Sequence, residues 1–254
     1  MSNVPLNGLV SWWKLDESSG TRYDSHGTNH LSPQNGPGYN AVDYKWGASM
    51  DCERNSSQHA EISQASQTGL SFGNEDFTYG AWWRAEDLAG GVSRYIFGKW
   101  NDNGVNDREF LLFSGASDAK FRAYISSDGS SSTNIGWGTG ASTGTWYFVV
   151  CWHDATANTI NIQVNNGTPL SNSHTTGANQ NDSAPFYIGQ GDRNNYGWDG
   201  EIDEAFVYSR VLTSGERTLL YNSGNGVTYG AGQKARFHRR SRTPGLVTVY
   251  EDQG

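Results

Sequence analysis

Short runs of alternating side chains, separated by turn residues at roughly 8–12-residue spacing, govern what this chain can fold into. Asp76–Ala85 (DFTYGAWWRA) puts Phe77, Tyr79, Ala81 and Trp83 on one face, with Thr78, Gly80, Trp82 and Arg84 on the other. Thr159–Val164 alternates Ile160, Ile162 and Val164 with Asn161 and Gln163. Thr145–His153 (TWYFVVCWH) is the most apolar run, and the short connection Asp154–Asn158 predicts a hairpin between these two. Gly8–Leu15, Gly47–Cys52, Gln58–Ser63, Arg94–Trp100, Glu109–Ser114, Lys120–Ser126, Phe186–Gly189 and Glu201–Ser209 read as further strands. One helix is expected. Thr213 stands three residues before Glu216, a capping box, with Leu219, Leu220 and Tyr221 following and Gly224 available to stop it. Strands do not alternate with helices, so a dinucleotide-type α/β fold is excluded. The expectation is an all-β sandwich or barrel closed by one short helix.

Composition agrees. Of 254 residues only 35% are hydrophobic, but 10 Trp, 13 Tyr and 10 Phe supply large apolar surfaces, and 32 Gly supply turns. The formal charge of −8 argues against nucleic-acid binding. That charge is uneven. Val227–Gly254 carries five basic and two acidic side chains, a balance of +3, leaving −11 on the rest. Residues 1–226 are therefore expected to form the domain, and 227–254 a basic extension able to anchor on a partner chain. Within it, Gly245–Tyr250 (GLVTVY) can pair as an added strand on a neighbour, a route to a homo-oligomer. No run is long and apolar enough to span a membrane, and MSNVPLNGLVSWW lacks the features of a classical signal peptide. Cys52 and Cys151, far apart and outside any CxxC or Cys/His cluster, are expected to be buried free thiols.

Three segments together resemble a known family. They are Gly8–Gly20 (GLVSWWKLDESSG) followed by Asp24-Ser25-His26-Gly27, the strand Phe77–Trp83, and the ending Gly200–Leu212 (GEIDEAFVYSRVL) with Glu216 and Leu220-Tyr221. They are similar, in order and spacing over about residues 7–226, to laminin-G-like domains of the concanavalin A-like lectin/glucanase superfamily. The resemblance implies a jelly-roll sandwich of two antiparallel sheets. It also implies a non-catalytic binding or adhesion module, often for glycans and often carrying a structural calcium. Similar domains occur in bacteriophage virion proteins.

Candidate chemistry follows. Glucanases of the superfamily place three acids on one face of an E-x-D-x-E strand. Here Glu201 and Asp203 fill two positions, Ala205 replaces the third, and Glu204 is expected to face the other way unless a bulge shifts it, so no catalytic set is expected. The resemblance suggests a calcium site joining the first loop to the last strand, with Asp24 and Asp203 as ligands. The alternative is that Asp24 caps a turn and Asp203 accepts loop amides. A glycan platform is expected from two loops. One offers Trp100, Asn101 and Asp102, the other Arg193, Asn194, Tyr196 and Trp198. The competing reading assigns these Trp to the core and the polar residues to turns. Trp12, Trp13, Trp82, Trp83, Trp146 and Trp152 are assigned to the core. The expected function is glycan recognition or adhesion outside a cell or on a virion surface, as a decoration or fibre-associated protein. The alternatives are a structural protein that stabilises an assembly without a sugar ligand, and a β-glucan hydrolase.

Overall fold

The computed structural model describes residues 4–102, 107–174, 177–180, 183–190 and 196–230. Among the described residues all strand pairings are antiparallel and form two sheets. The back sheet runs Leu170–Ser173, Thr159–Val164, Trp146–Asp154, Phe77–Ala85, Gly200–Tyr208, Ser49–Cys52 and Gly38–Asn40, with Leu9–Trp13 also paired to Gly200–Tyr208. The front sheet runs Ser132–Gly136, Phe121–Ser126, Arg108–Ser114, Arg94–Trp100, Phe186–Ile188, His59–Ile62 and Ser32–Gln34. This is the expected jelly-roll sandwich, and the hairpin between Trp146–Asp154 and Thr159–Val164 forms with Asp154 opposite Thr159.

Period-two alternation sorts the side chains. Phe77, Tyr79, Ala81 and Trp83 point between the sheets, as do Ile160, Ile162 and Val164. The two sheets meet through rings: Trp13 stacks on Phe186 at 5.2 Å, and Tyr79 on Phe97 at 5.5 Å. The outer face of the back sheet carries a second apolar layer of Trp12, Trp82, Phe148, Trp152, Phe206 and Tyr208. The helix Ser214–Tyr221 covers this layer with Leu220. Its start is the expected capping box: Thr213 Oγ1 accepts from the Glu216 amide at 3.2 Å, and Glu216 returns a carboxylate to the Thr213 amide at 2.9 Å. It ends earlier than Gly224, at Asn222, whose φ of 47° is the left-handed conformation that Asn tolerates. Packing continues past residue 226, because Val227 is buried in the outer layer and the Tyr229 hydroxyl meets His26 Nδ1 at 3.1 Å. Five of the six Trp assigned to the core are buried, and Trp146 is half-buried against the outer layer. Cys52 and Cys151 are free and fully buried. The expected added strand Gly245–Tyr250 lies outside the described residues.

Candidate functional site

The closing strand Gly200–Tyr208 is interrupted by a bulge. Asp203 pairs with Trp82 and Phe206 with Gly80, so Glu204 and Ala205 together oppose Ala81. Glu204 takes the positive φ of 50° that absorbs the extra residue. The bulge overturns the parity expected for Glu204. Ile202, Ala205 and Val207 face the core between the sheets, and Asp203, Glu204 and Phe206 all face the outer layer. Glu204 is buried there and accepts a hydrogen bond from Trp12 Nε1.

Each acid of this strand has a defined environment. Glu201 is fully buried and accepts from Arg84 Nη1 at 2.9 and 2.8 Å and from Asn40 Nδ2 at 2.9 Å. Asp203 Oδ2 accepts the amides of Lys45 (2.6 Å) and Trp46 (3.0 Å). Asp203 Oδ1 and Glu204 Oε1 are buried without a hydrogen-bond partner. Burial pushes both carboxyls well above the carboxylate range, with the charge of Asp16 adding to each. Asp16 is itself raised by burial and accepts the Ala48 amide at 2.8 Å. A side chain at Gly47 (φ 71°) would lie 2.4 Å from Asp16 Oδ1, so glycine is needed beside that carboxylate.

Asp203 Oδ1 and Glu204 Oε1 are carboxylate oxygens of the type that calcium takes, but among the described residues they do not form, with Asp16, a set of three acids whose oxygens lie within 4.8 Å of one another. Asp24, the other expected ligand, is used differently. Its Oδ1 accepts the amides of Trp12 (3.0 Å), His26 (3.0 Å) and Gly27 (2.9 Å), and its Oδ2 accepts that of Asn29 (3.1 Å). Asp24 thus organises its loop against the first strand, and the acid whose charge reaches Asp203 is Asp16. A separate cluster of Asp51, Glu53 and Glu86, with oxygens within 4.8 Å of one another, sits near solvent. Burial and then the charge of Glu201 push Asp51 up to about 6 and Glu86 up to about 7.

Of the residues read as a glycan platform, Trp100, Asp102 and Tyr196 line one cleft on the outer face of the front sheet. The cleft measures about 330 Å³, at the small end of ligand pockets. Trp100, Asp102 and Arg108 come from the first loop and its flanks. Tyr196 comes from the second, tied in by its carbonyl, which accepts the Tyr95 amide at 2.6 Å. Trp100 is only 4% exposed, so it forms the floor. The rings that reach solvent are Tyr95, Tyr124 and Tyr196, each half-buried. They brace one another: Trp100 meets Tyr124 edge-on at 5.9 Å, Phe113 meets Tyr124 at 4.7 Å, and Tyr95 meets Tyr196 at 6.0 Å. Asp102 is the polar hub. It accepts from Trp100 Nε1 (2.9 Å) and from the Tyr95 hydroxyl, and pairs with Arg108 Nη2 (2.9 Å). Arg108 also lies 5.6 Å over the Trp100 ring.

Several expected site residues stand elsewhere. Asn101 turns to Asp107, donating its amide to the Asp107 carbonyl at 3.0 Å, and does not line the cleft. Trp198 is fully buried between the sheets, edge-on to Trp83 at 6.0 Å and stacked on Phe121 at 6.1 Å. It shares the inward parity of Gly200 and Ile202, so it cannot meet a ligand from solvent. Arg193 and Asn194 lie outside the described residues. Tyr95 and Tyr124 were missed. For Tyr124 the signal was present in Lys120–Ser126, where it alternates with buried Ala123 and Ile125; Tyr95 gave none, because a register shift between Tyr95 and Phe97 places two residues of like parity on opposite faces.

Residues 54–216, nearly two thirds of the chain, match a laminin-G-type family model of the concanavalin A-like lectin/glucanases superfamily. The chain belongs to this superfamily. Solved structures share its fold. The binding domain of Paraclostridial Mosquitocidal Protein 1 superposes with a TM-score of 0.67, at 14% identity, over 91% of this chain and 54% of that one. Trypanosoma rangeli sialidase in complex with sialic acid gives 0.62 at 18% identity, over 88% and 34%. The botulinum neurotoxin serotype D ligand binding domain in complex with N-acetylneuraminic acid gives 0.63 at 10% identity, over 85% and 50%. This superfamily member thus spans about a third to a half of each of these proteins, and at these identities the likeness is one of fold. Among curated protein sequences none matches the chain.

Proposed function

We propose that this domain is a non-catalytic glycan-recognition module whose ligand seats in the front-sheet cleft. The observation that carries the reading is the cleft itself. Three braced tyrosine rings reach solvent above a tryptophan floor, beside an Asp102–Arg108 pair whose geometry is already fixed. Aromatic faces take the apolar C–H faces of sugars, and pre-positioned polar groups read hydroxyls at little ordering cost. Structural neighbours with bound N-acetylneuraminic acid or sialic acid support the same class of ligand.

Absence of catalysis is part of the proposal. Most glycosidases use two carboxyls facing the sugar about 5–10 Å apart. The acids of the closing strand are instead buried on the back sheet, with Glu201 held by Arg84 and Asn40 and Glu204 by Trp12. Calcium held at Asp203 would supply positive charge to its otherwise orphaned Oδ1 and reinforce the tie between the closing strand and the loop Lys45–Ala48.

An extracellular or virion-surface setting, as a decoration or fibre-associated protein, belongs to the same reading. The competing role is a structural stabiliser without a sugar ligand. A glycan array separates the two: binding lost on Tyr196→Ala supports recognition, and silence across all glycans favours the structural role.

A further inference from the structure

Large apolar side chains that reach solvent gather at one edge of the back sheet. Among the described residues, Tyr39 (43%), Val42 (84%), Tyr44 (42%) and Trp46 (39%) are exposed there, against Leu6 and Tyr23 in the rest of the domain. They occupy the edge strand Gly38–Asn40 and the loop that follows it. The loop is held in place. Asn40 Oδ1 accepts the amides of Val42 and Asp43, both at 2.9 Å, and the Asp43 carbonyl accepts the Ser49 hydroxyl at 2.7 Å. Lys45 turns inward, donating to the Gly224 carbonyl at 3.0 Å and lying 4.3 Å over the Trp82 ring. Asp43 turns to Arg84, at 3.7 Å. The alternate positions, Val42, Tyr44 and Trp46, carry the exposed side chains on this tethered backbone. Exposed apolar groups gathered in one place mark an interaction surface, where single scattered ones do not.

Strand register sets acids beside them. One row crosses the outer face of the back sheet: Trp146 stands opposite Arg84, Arg84 opposite Glu201, Glu201 opposite Asp51, and Asp51 opposite Gly38 of the edge strand. The Arg84 guanidinium lies among the carboxylates of Asp43, Asp51, Glu86 and Glu201, and its short hydrogen bonds go to Glu201. The other cation near this row, Arg54, pairs with Asp87 at 3.4 Å. Negative charge is therefore in excess beside the apolar row.

That combination selects an occupant. A surface of acidic lipids is repelled, and a second copy docked symmetrically would set these acids against themselves. A guanidinium suits both halves of the surface, because it stacks flat on Tyr and Trp rings and pairs with carboxylates through two parallel N–H groups. We propose that the Tyr39–Trp46 row and the acids beside it form a docking surface for an arginine-bearing segment of a partner polypeptide. The surface lies on the back sheet and the cleft on the front sheet, so neither reading depends on the other.

Calorimetric titration of the full chain with octa-arginine and octa-lysine peptides, at about pH 8 and low salt, tests it. Octa-arginine is expected to bind about threefold or more tightly than octa-lysine, since the ammonium group lacks the flat stacking face. Trp46→Ala and Tyr44→Ala, both at exposed positions, should each remove that advantage and leave octa-lysine binding unchanged. Asp43→Asn combined with Glu86→Gln should weaken both peptides, and Tyr196→Ala in the cleft should weaken neither. No measurable binding, equal affinity for the two peptides, or octa-arginine binding indifferent to Trp46→Ala and Tyr44→Ala overturns the proposal. A different occupant overturns it as well. The signs would be self-association of the chain, or attachment to phosphatidylcholine vesicles, that Trp46→Ala abolishes. Octa-arginine binding that emerges only in a chain carrying Arg239→Gln and Arg240→Gln would assign the surface to the chain's own basic extension instead.

Discussion

Replacing Glu201 with Gln asks whether the acids of the closing strand serve architecture. Glu201 is fully buried, with three hydrogen bonds at 2.8–2.9 Å to Arg84 and Asn40. Breaking a buried ion pair costs roughly 3–5 kcal/mol. Two features lower that figure here. Gln keeps one acceptor oxygen, although its NH₂ then faces the donors of Arg84 or Asn40. Arg84, whose side chain is 19% exposed, keeps Asp43 at 3.7 Å and Glu86 at 4.0 Å, so its charge is not stranded. The expected cost is about 2 kcal/mol, a fall in Tm of about 4–8 °C for a chain of this size. Urea and thermal unfolding of Glu201→Gln, Arg84→Met and the double variant give the value directly, with a coupling of about 1 kcal/mol or more expected between the two sites. A cost below about 0.5 kcal/mol, or a gain in stability, would refute a structural role for Glu201.

Calcium chelation is expected to lower Tm, with recovery on adding calcium. Asp203→Asn should abolish that difference and Asp24→Asn should keep it; a melting curve indifferent to chelator contradicts the calcium proposal. Asp51, pushed up to about 6, binds its proton more readily folded than unfolded, so its contribution is fully present below about pH 4 and is lost as pH rises through 6. Asp51→Asn should therefore stabilise at pH 8 by about 1 kcal/mol, the two-unit shift halved or more for solvent screening, and leave stability unchanged at pH 4. Trp198→Ala is expected to cost about 3–5 kcal/mol as a core deletion, seen in unfolding curves.

Alternation carried most of the fold, because a half-buried strand must separate its apolar and polar side chains at every second residue. Phe77–Ala85 and Thr159–Val164 show that pattern without interruption, and the Thr213/Glu216 box marks its helix locally. Glu204 could not be placed that way. A single inserted residue reverses the parity of everything after it, and nothing in Asp203-Glu204-Ala205 announces a bulge. Trp198 went to the wrong environment because loop composition was weighed above its register with Ile202. Trp100 and Tyr196 reached the cleft as expected, but as floor and wall. Tyr124 completes it from an outward position that reads as ordinary solvent face, and Tyr95 from a register shift that alternation does not announce.

The most direct test of glycan recognition is binding itself. The wild-type domain is screened on a glycan array, and its strongest hit is titrated by calorimetry against Tyr124→Ala, Tyr196→Ala and the wild type. Each variant is expected to bind about tenfold more weakly, about 1.4 kcal/mol, while its Tm stays within a few degrees of the wild type. A silent array, or variants that bind as tightly as the wild type, would contradict a sugar site in the front-sheet cleft.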